Sequence, residues 1–195
     1  MNARVLHLIS VYAFEIDWIL FGAIFIFRKR WPKDKTHKRD PASVVGIVIQ
    51  TLSLFPVWML ARRSDTILPL GSWFELLTPI LVIVIGAVSL WTLWSAVRVL
   101  GKQWSLQARV LEDHQLIREG PYRFVRHPIY TGMLGMIVVG ALAWTHWIGF
   151  LVSLALFSIG TAIRISSEEK LLREQFGAAF EDYKRSVPAV LPIKF

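Results

Sequence analysis

The strongest constraint in this 195-residue chain is a series of apolar stretches near the length needed to cross a bilayer. Val5–Phe27, Ser43–Leu60 and Trp73–Val99 are each long enough for a membrane helix, which takes about 20 residues. Two shorter runs follow, Thr131–Thr145 and Trp147–Ile163, split by Thr145-His146-Trp147. They read as a helical hairpin with a tight turn at the far membrane face. Hydrophobic residues make up 54% of the chain and charged residues only 18%. A soluble domain usually carries about 25% charged residues, so this balance excludes a soluble enzyme, a disordered chain and a fibrous repeat. The expected fold class is all-α, polytopic and about five-helical. There are no cysteines, which removes disulfides, thiolate metal sites and cysteine nucleophiles. The first apolar run carries Glu15 and Asp17 and ends in a basic cluster, unlike a cleavable signal peptide.

Charge sets the expected orientation. Nineteen of the 22 Lys and Arg residues fall in segments 28–41, 98–130 and 164–195, whereas the alternate side holds Arg4, Arg62 and Arg63. Five spans put the three basic segments on one side, which is then cytoplasmic, with the N-terminus outside and the C-terminus inside. The net charge of +8 is thus read as loop charge, not nucleic-acid binding. A single domain, 1–195, is expected: three helices over 1–99, then a part over 100–195 containing the hairpin 131–163. Ser166–Phe176 is a strong helix former ending at Gly177, a C-cap signal, and Ala178–Arg185 is a further short helix stopped before Pro188. No strand alternation stands out. Neither a dinucleotide-binding glycine motif nor a phosphate-binding loop is present, and the five histidines lack metal-ligand spacing, so no metal is expected.

Three blocks carry chemistry. In Gly120–Gly132, His127-Pro128 is a backbone break, with Pro128 suited to the first position of a helix. Arg126, His127, Tyr130 and Thr131 then surround a helix N-terminus, which is either an anion site or simply an anchored helix start. In Arg164–Glu169, Arg164 and Glu168 share a helical face; they are either a local ion pair or part of a ligand site. The third block, Leu100–Gln107 followed by Asp113–Ile117, is either a solvated loop with an interfacial Trp104 or a binding segment. Glu15 and Asp17 lie mid-span, where charge is costly; a functional role and a shallower helix both fit.

In order and spacing these blocks resemble the isoprenylcysteine carboxyl methyltransferase family, whose broader relatives include membrane phospholipid methyltransferases. The resemblance rests on Gly101-x-x-Trp104-Ser105, His114-x-Leu116-Ile117, Gly120-Pro121-Tyr122, Arg126-His127-Pro128-x-Tyr130-x-Gly132 and Arg164-x-x-x-Glu168-Glu169, with Phe176-Gly177 and Tyr183 after them. It covers about residues 100–188; the first hundred residues carry no family signature.

The resemblance implies S-adenosylmethionine as methyl donor, bound outside any Rossmann fold. Carried over by position, Gln107, His114, Gln115, Leu116, Ile117, Tyr122, His127, Pro128, Ile129, Tyr130 and Glu168 would hold it. Arg164 would face the acceptor, with Arg164 and Glu168 as the catalytic pair and Glu169 as the substitute if the helix is rotated. The acceptor implied is a lipid-like carboxylate entering from the bilayer, such as a prenylated cysteine. A phospholipid amine or another small amphiphile is the second reading, and a non-catalytic membrane scaffold the third.

Overall fold

A computed structural model describes residues 3–27, 36–61, 71–111 and 113–193. Outside them lie most of the basic residues of segment 28–41, Lys194, and Arg62 and Arg63, on which the expected charge asymmetry partly rests.

The chain is all-α and polytopic. Among the described residues, four helical stretches are long and apolar enough to cross a membrane, and Pro128–Ala143 is a shorter apolar helix. Helix α1 is Ala3–Ile26. Helices α2 (Ala42–Leu52) and α3 (Leu54–Met59) form one stretch interrupted at Ser53. Helix α4 is Gly71–Leu100, with Pro79 in its early turns. Helix α5, Pro128–Ala143, begins with proline at its first turn and His127 as N-cap, as the His-Pro break predicts. Helix α6, Trp147–Phe176, joins the last apolar run and the polar Ser166–Phe176 piece into one 30-residue helix. It ends at Gly177, whose φ of 51° supplies the positive-φ stop that glycine tolerates, and α7 is Ala178–Ser186.

Helix α4 packs on α1 and α5, while α2 packs on α6. Phe14, Val57, Val82, Ile137, Val139 and Phe157 meet in the shared core. The outer faces are apolar as well: Ile19, Ile80, Val88 and Trp91 are all more than half exposed. Apolar surfaces this extensive on the outside suit lipid, not water. At the α2–α6 contact two glycines allow near backbone approach. A Cβ on Gly46 would fall 2.5 Å from Arg164 Cγ, and one on Gly160 would fall 2.8 Å from the Gln50 amide nitrogen.

The two ends of the bundle are built differently. At the hairpin end, α3 is clipped to the α5–α6 turn: the His146 amide donates to Leu60 O at 2.7 Å and Thr145 Oγ1 to Val57 O at 2.9 Å. At the opposite end the described basic segments gather. Here the expectation of no strands is corrected. Strand β1 (Thr36–Arg39) pairs antiparallel with β2 (Arg109–Leu111). At four and three residues the strands are too short to show a period-two pattern. The sheet fixes the start of α2, because buried Ser43 accepts from the Ala108 amide and donates to Asp40 O.

Candidate functional site

The basic end encloses a cavity of about 350 Å³. Its wall is assembled from segments remote in the chain. Gln107, His114, Gln115, Leu116 and Ile117 come from the connection between α4 and α5. Tyr122 comes from the 3-10 turn Gly120–Arg123, and His127, Ile129 and Tyr130 from the start of α5. Arg164 and Glu168 line it from α6. Thus the candidate residues converge on one space, with one exception. Pro128 is buried but lies outside the lining.

The start of α5 is partly covered. The chain after α7 crosses it: the Arg126 amide donates to Pro188 O, the His127 amide to Ala189 O, both at 2.9 Å, and Thr131 Oγ1 to Val190 O at 2.6 Å. This segment supplies the carbonyls that satisfy donors near the helix start.

Among the described residues, Glu168 is the carboxylate that lines the cavity. Its side chain is 27% exposed, and it accepts a hydrogen bond from Tyr130 Oη. His127 Nδ1 lies 3.3 Å from it and Arg164 Nη2 3.7 Å. Glu169, only 7% exposed, does not line the cavity. One helical step of about 100° turns it toward the C-terminal segment. It accepts from Arg126 Nε and Nη2 at 3.0 and 2.7 Å and from Lys184 Nζ at 2.6 Å. His127 Nε2 lies 3.3 Å away. Arg126 also donates to the carbonyls of Lys184 and Val187. Glu169 therefore ties α7 to α5 and α6.

Arg164 is 7% exposed. Its Nη1 donates to Gln50 Oε1 at 3.0 Å and its Nη2 to Leu106 O at 2.8 Å, and the guanidinium lies over the Tyr130 ring. Gln50 is itself fixed, its amide donating to Thr161 Oγ1 at 2.7 Å. Arg164 Nε is buried without a hydrogen-bond partner, as is His114 Nδ1. Buried polar atoms are seldom left unpaired, so two such atoms on residues of one cavity wall suit a polar ligand.

Burial also biases titration. Removal from water lowers the His114 pKa and raises that of Tyr122 well above an ordinary phenol. Tyr183, whose hydroxyl donates to Tyr122 O at 2.6 Å, is pushed up to about 12 by burial. For His127 burial opposes the charged form, but Glu168 and Glu169 outweigh it and the pKa is raised.

Several residues at this site were not singled out from the sequence. Phe21 and Phe25 of α1, Leu54 of α3 and Met133 of α5 give the cavity an apolar side. They belong to uniformly apolar helices, so nothing in the sequence marked them. Gln50 was more accessible: it is the lone amide side chain in an apolar run, and a lone buried amide needs a partner.

The profile of the isoprenylcysteine carboxyl methyltransferase (ICMT) family matches residues 80–174. A relative in Bacillus subtilis, the uncharacterized protein YpbQ, is 31% identical over 69% of this chain and 74% of its own length. Protein-S-isoprenylcysteine O-methyltransferase of Schizosaccharomyces pombe is 36% identical over 86 residues. The chain belongs to the ICMT family. It is an integral membrane protein. The match to the S. pombe relative covers 42% of this chain but only 35% of that protein. The chain is also similar to the nickel-cobalt-cadmium resistance protein NccN of Alcaligenes xylosoxydans xylosoxydans, 28% identical over 63% of this chain and 64% of that protein. The ICMT match encloses every cavity residue from Gln107 to Glu168, whereas Gln50 and α7 fall outside it.

Proposed function

We propose that this protein is a membrane methyltransferase that uses S-adenosylmethionine and methylates the carboxylate of a lipid-linked acceptor. The observation that carries the reading is a single cavity with two kinds of wall. Glu168, Arg164, His127, Gln107 and His114 bring polar groups, while Phe21, Phe25, Leu54 and Met133 bring apolar surface from the membrane helices. A charged nucleotide-like cofactor and a lipid tail need those two environments in contact. The name carried by the S. pombe relative agrees with this chemistry.

The donor set fits the cofactor. Its ammonium would meet Glu168, the acidic side chain at the cavity. Gln107, Gln115 and the unpaired His114 Nδ1 would take its carboxylate and hydroxyls, and Tyr122 with Leu116 and Ile117 would pack the adenine. When bound, S-adenosylmethionine supplies an activated methyl group on a sulfonium.

An acceptor carboxylate is already a nucleophile, so the residues must orient it and need not deprotonate it. Gln50 and the Leu106 carbonyl hold Arg164, which would receive the carboxylate and fix its approach. A guanidinium held by protein partners does not have to reorganise as the ligand arrives. The segment 187–190, docked across α5, would close the site to water. The basic segments would be cytoplasmic, the N-terminus outside and the acceptor drawn sideways from the inner leaflet.

The test is methyl transfer by the purified protein in lipid nanodiscs, with radiolabelled cofactor and a farnesylated cysteine analogue. Base-labile label in the lipid fraction is expected, as an ester requires. Base-stable label would reassign the acceptor to an amine, and saturable cofactor binding without transfer to any amphiphile would leave a binding protein.

A further inference from the structure

Both ring nitrogens of His127 face carboxylates. Nδ1 lies 3.3 Å from Glu168 Oε2, and Nε2 lies 3.3 Å from Glu169 Oε1. A neutral imidazole has one N–H, so one of these approaches would set a lone pair against a carboxylate oxygen. Only the imidazolium donates in both directions. The raised His127 pKa agrees with that protonation state.

The surrounding charges come from several elements. From α6, Glu168 is also held by Tyr130 and faced by Arg164, while Glu169 also binds Arg126 before α5 and Lys184 of α7. The Tyr130 ring stacks on the imidazole at 5.7 Å. With His127 protonated, four cations surround two carboxylates. Such a cluster has no need of a further positive charge.

The carboxylates differ in access. Glu168 lines the cavity, and Glu169 is sealed by α7. An ammonium arriving in the cavity can therefore reach Glu168 alone, where it would stand beside the imidazolium. We infer that His127 is a displaceable counter-ion: as a ligand ammonium pairs with Glu168, the Nδ1 proton of His127 leaves to solvent, and the neutral ring keeps its Nε2–H bond to Glu169. One ion pair replaces another, and each binding event releases one proton. The inference rests on the proposed cofactor reading, because it takes the ammonium to be the cofactor's. It adds a direct coupling between cofactor affinity and pH. Where the free protein carries the imidazolium, affinity for an ammonium ligand rises up to tenfold per pH unit.

The probe is S-adenosylhomocysteine, which retains the amino-acid ammonium and has no transferable methyl group. Its binding heat is measured at one pH near neutrality in two buffers of different ionisation enthalpy. The heats should differ by the amount due to nearly one released proton. His127→Asn should bind without that difference. Because this variant risks misfolding, ¹⁵N-histidine spectra of the unaltered protein supply a second readout. One of the five histidines should show an imidazolium signature that becomes neutral on addition of the probe. Binding with equal heats in both buffers, or with an unchanged histidine spectrum, overturns the displacement and spares the cofactor reading. Absence of any binding overturns both.

Discussion

Two acids face the interior, buried Asp17 in one half of the molecule and half-buried Glu168 in the other, and their surroundings differ. Asp17 of α1 is 8% exposed, and its Oδ2 has no hydrogen-bond partner. Its space exists because Gly86 of α4 lacks a side chain: a Cβ there would fall 2.0 Å from that oxygen. Glu168 of α6 instead meets Tyr130, His127 and Arg164. A paired carboxylate can hold charge ready for a ligand, whereas an unpaired one in an apolar span carries a desolvation cost without return. Glu15, the neighbour singled out with Asp17, is exposed on the outer face.

The contrast is sharpest on removing the acid that ties the site together. Glu169→Ala should leave Arg126 and Lys184 without their common partner and cost about 3–5 kcal/mol, as breaking a buried ion pair does. Thermal unfolding should begin far earlier, with α7 cut first by protease; an unshifted midpoint would remove Glu169 from its structural role. Glu168→Ala should weaken S-adenosylhomocysteine binding by about 100-fold or more, consistent with about 3 kcal/mol for a desolvated charged contact. Arg164→Lys keeps the charge but loses the planar fork, so turnover should drop by about ten- to a hundredfold with cofactor affinity nearly retained. Equal losses in both would defeat the separation of donor and acceptor contacts.

Smaller effects belong to the Asp17 region. Gly86→Ala should destabilise by about 1–3 kcal/mol through overpacking, and the Asp17→Ala, Gly86→Ala pair should recover most of it. Asp17→Ala alone should be near neutral or stabilising, since no partner is stranded. The smallest effect expected is in pH. The raised His127 pKa adds stability that is fully present below about 6.5, the unfolded value, and is lost as pH rises through the folded one. The ligand-free unfolding temperature should therefore fall on moving into mildly alkaline buffer. A rise there would reverse the assigned charge.

Much of the architecture was legible because lipid leaves few ways to satisfy a backbone, and apolar run length alone locates the helices. The His127-Pro128 break and Gly177 marked helix ends through local stereochemistry. The unity of α6 was less visible. The change from apolar to polar residues at Arg164 suggested a boundary, although nothing there breaks the backbone. The β1–β2 pairing joins residues some seventy apart and leaves no local trace. Within the site, the motif residues from Gln107 to Glu168 were visible as types in order. Which of Glu168 and Glu169 meets the cavity depends on the rotation of α6, and that is fixed by Arg126, Lys184 and the Gly46–Gly160 contact, all distant in sequence.

Helix α6 has a mechanical consequence. Thirty residues make a rod of about 45 Å, against about 30 Å of hydrocarbon. Counted from Trp147, Arg164 and Glu168 lie about 26 and 32 Å along that rod, where the hydrocarbon would end, so their height relative to the acyl chains is set by an unbroken lever and not by a flexible tether. A thicker bilayer would submerge them and a thinner one would lift them clear. The reach of a lipid headgroup to Arg164 thereby becomes a function of membrane thickness.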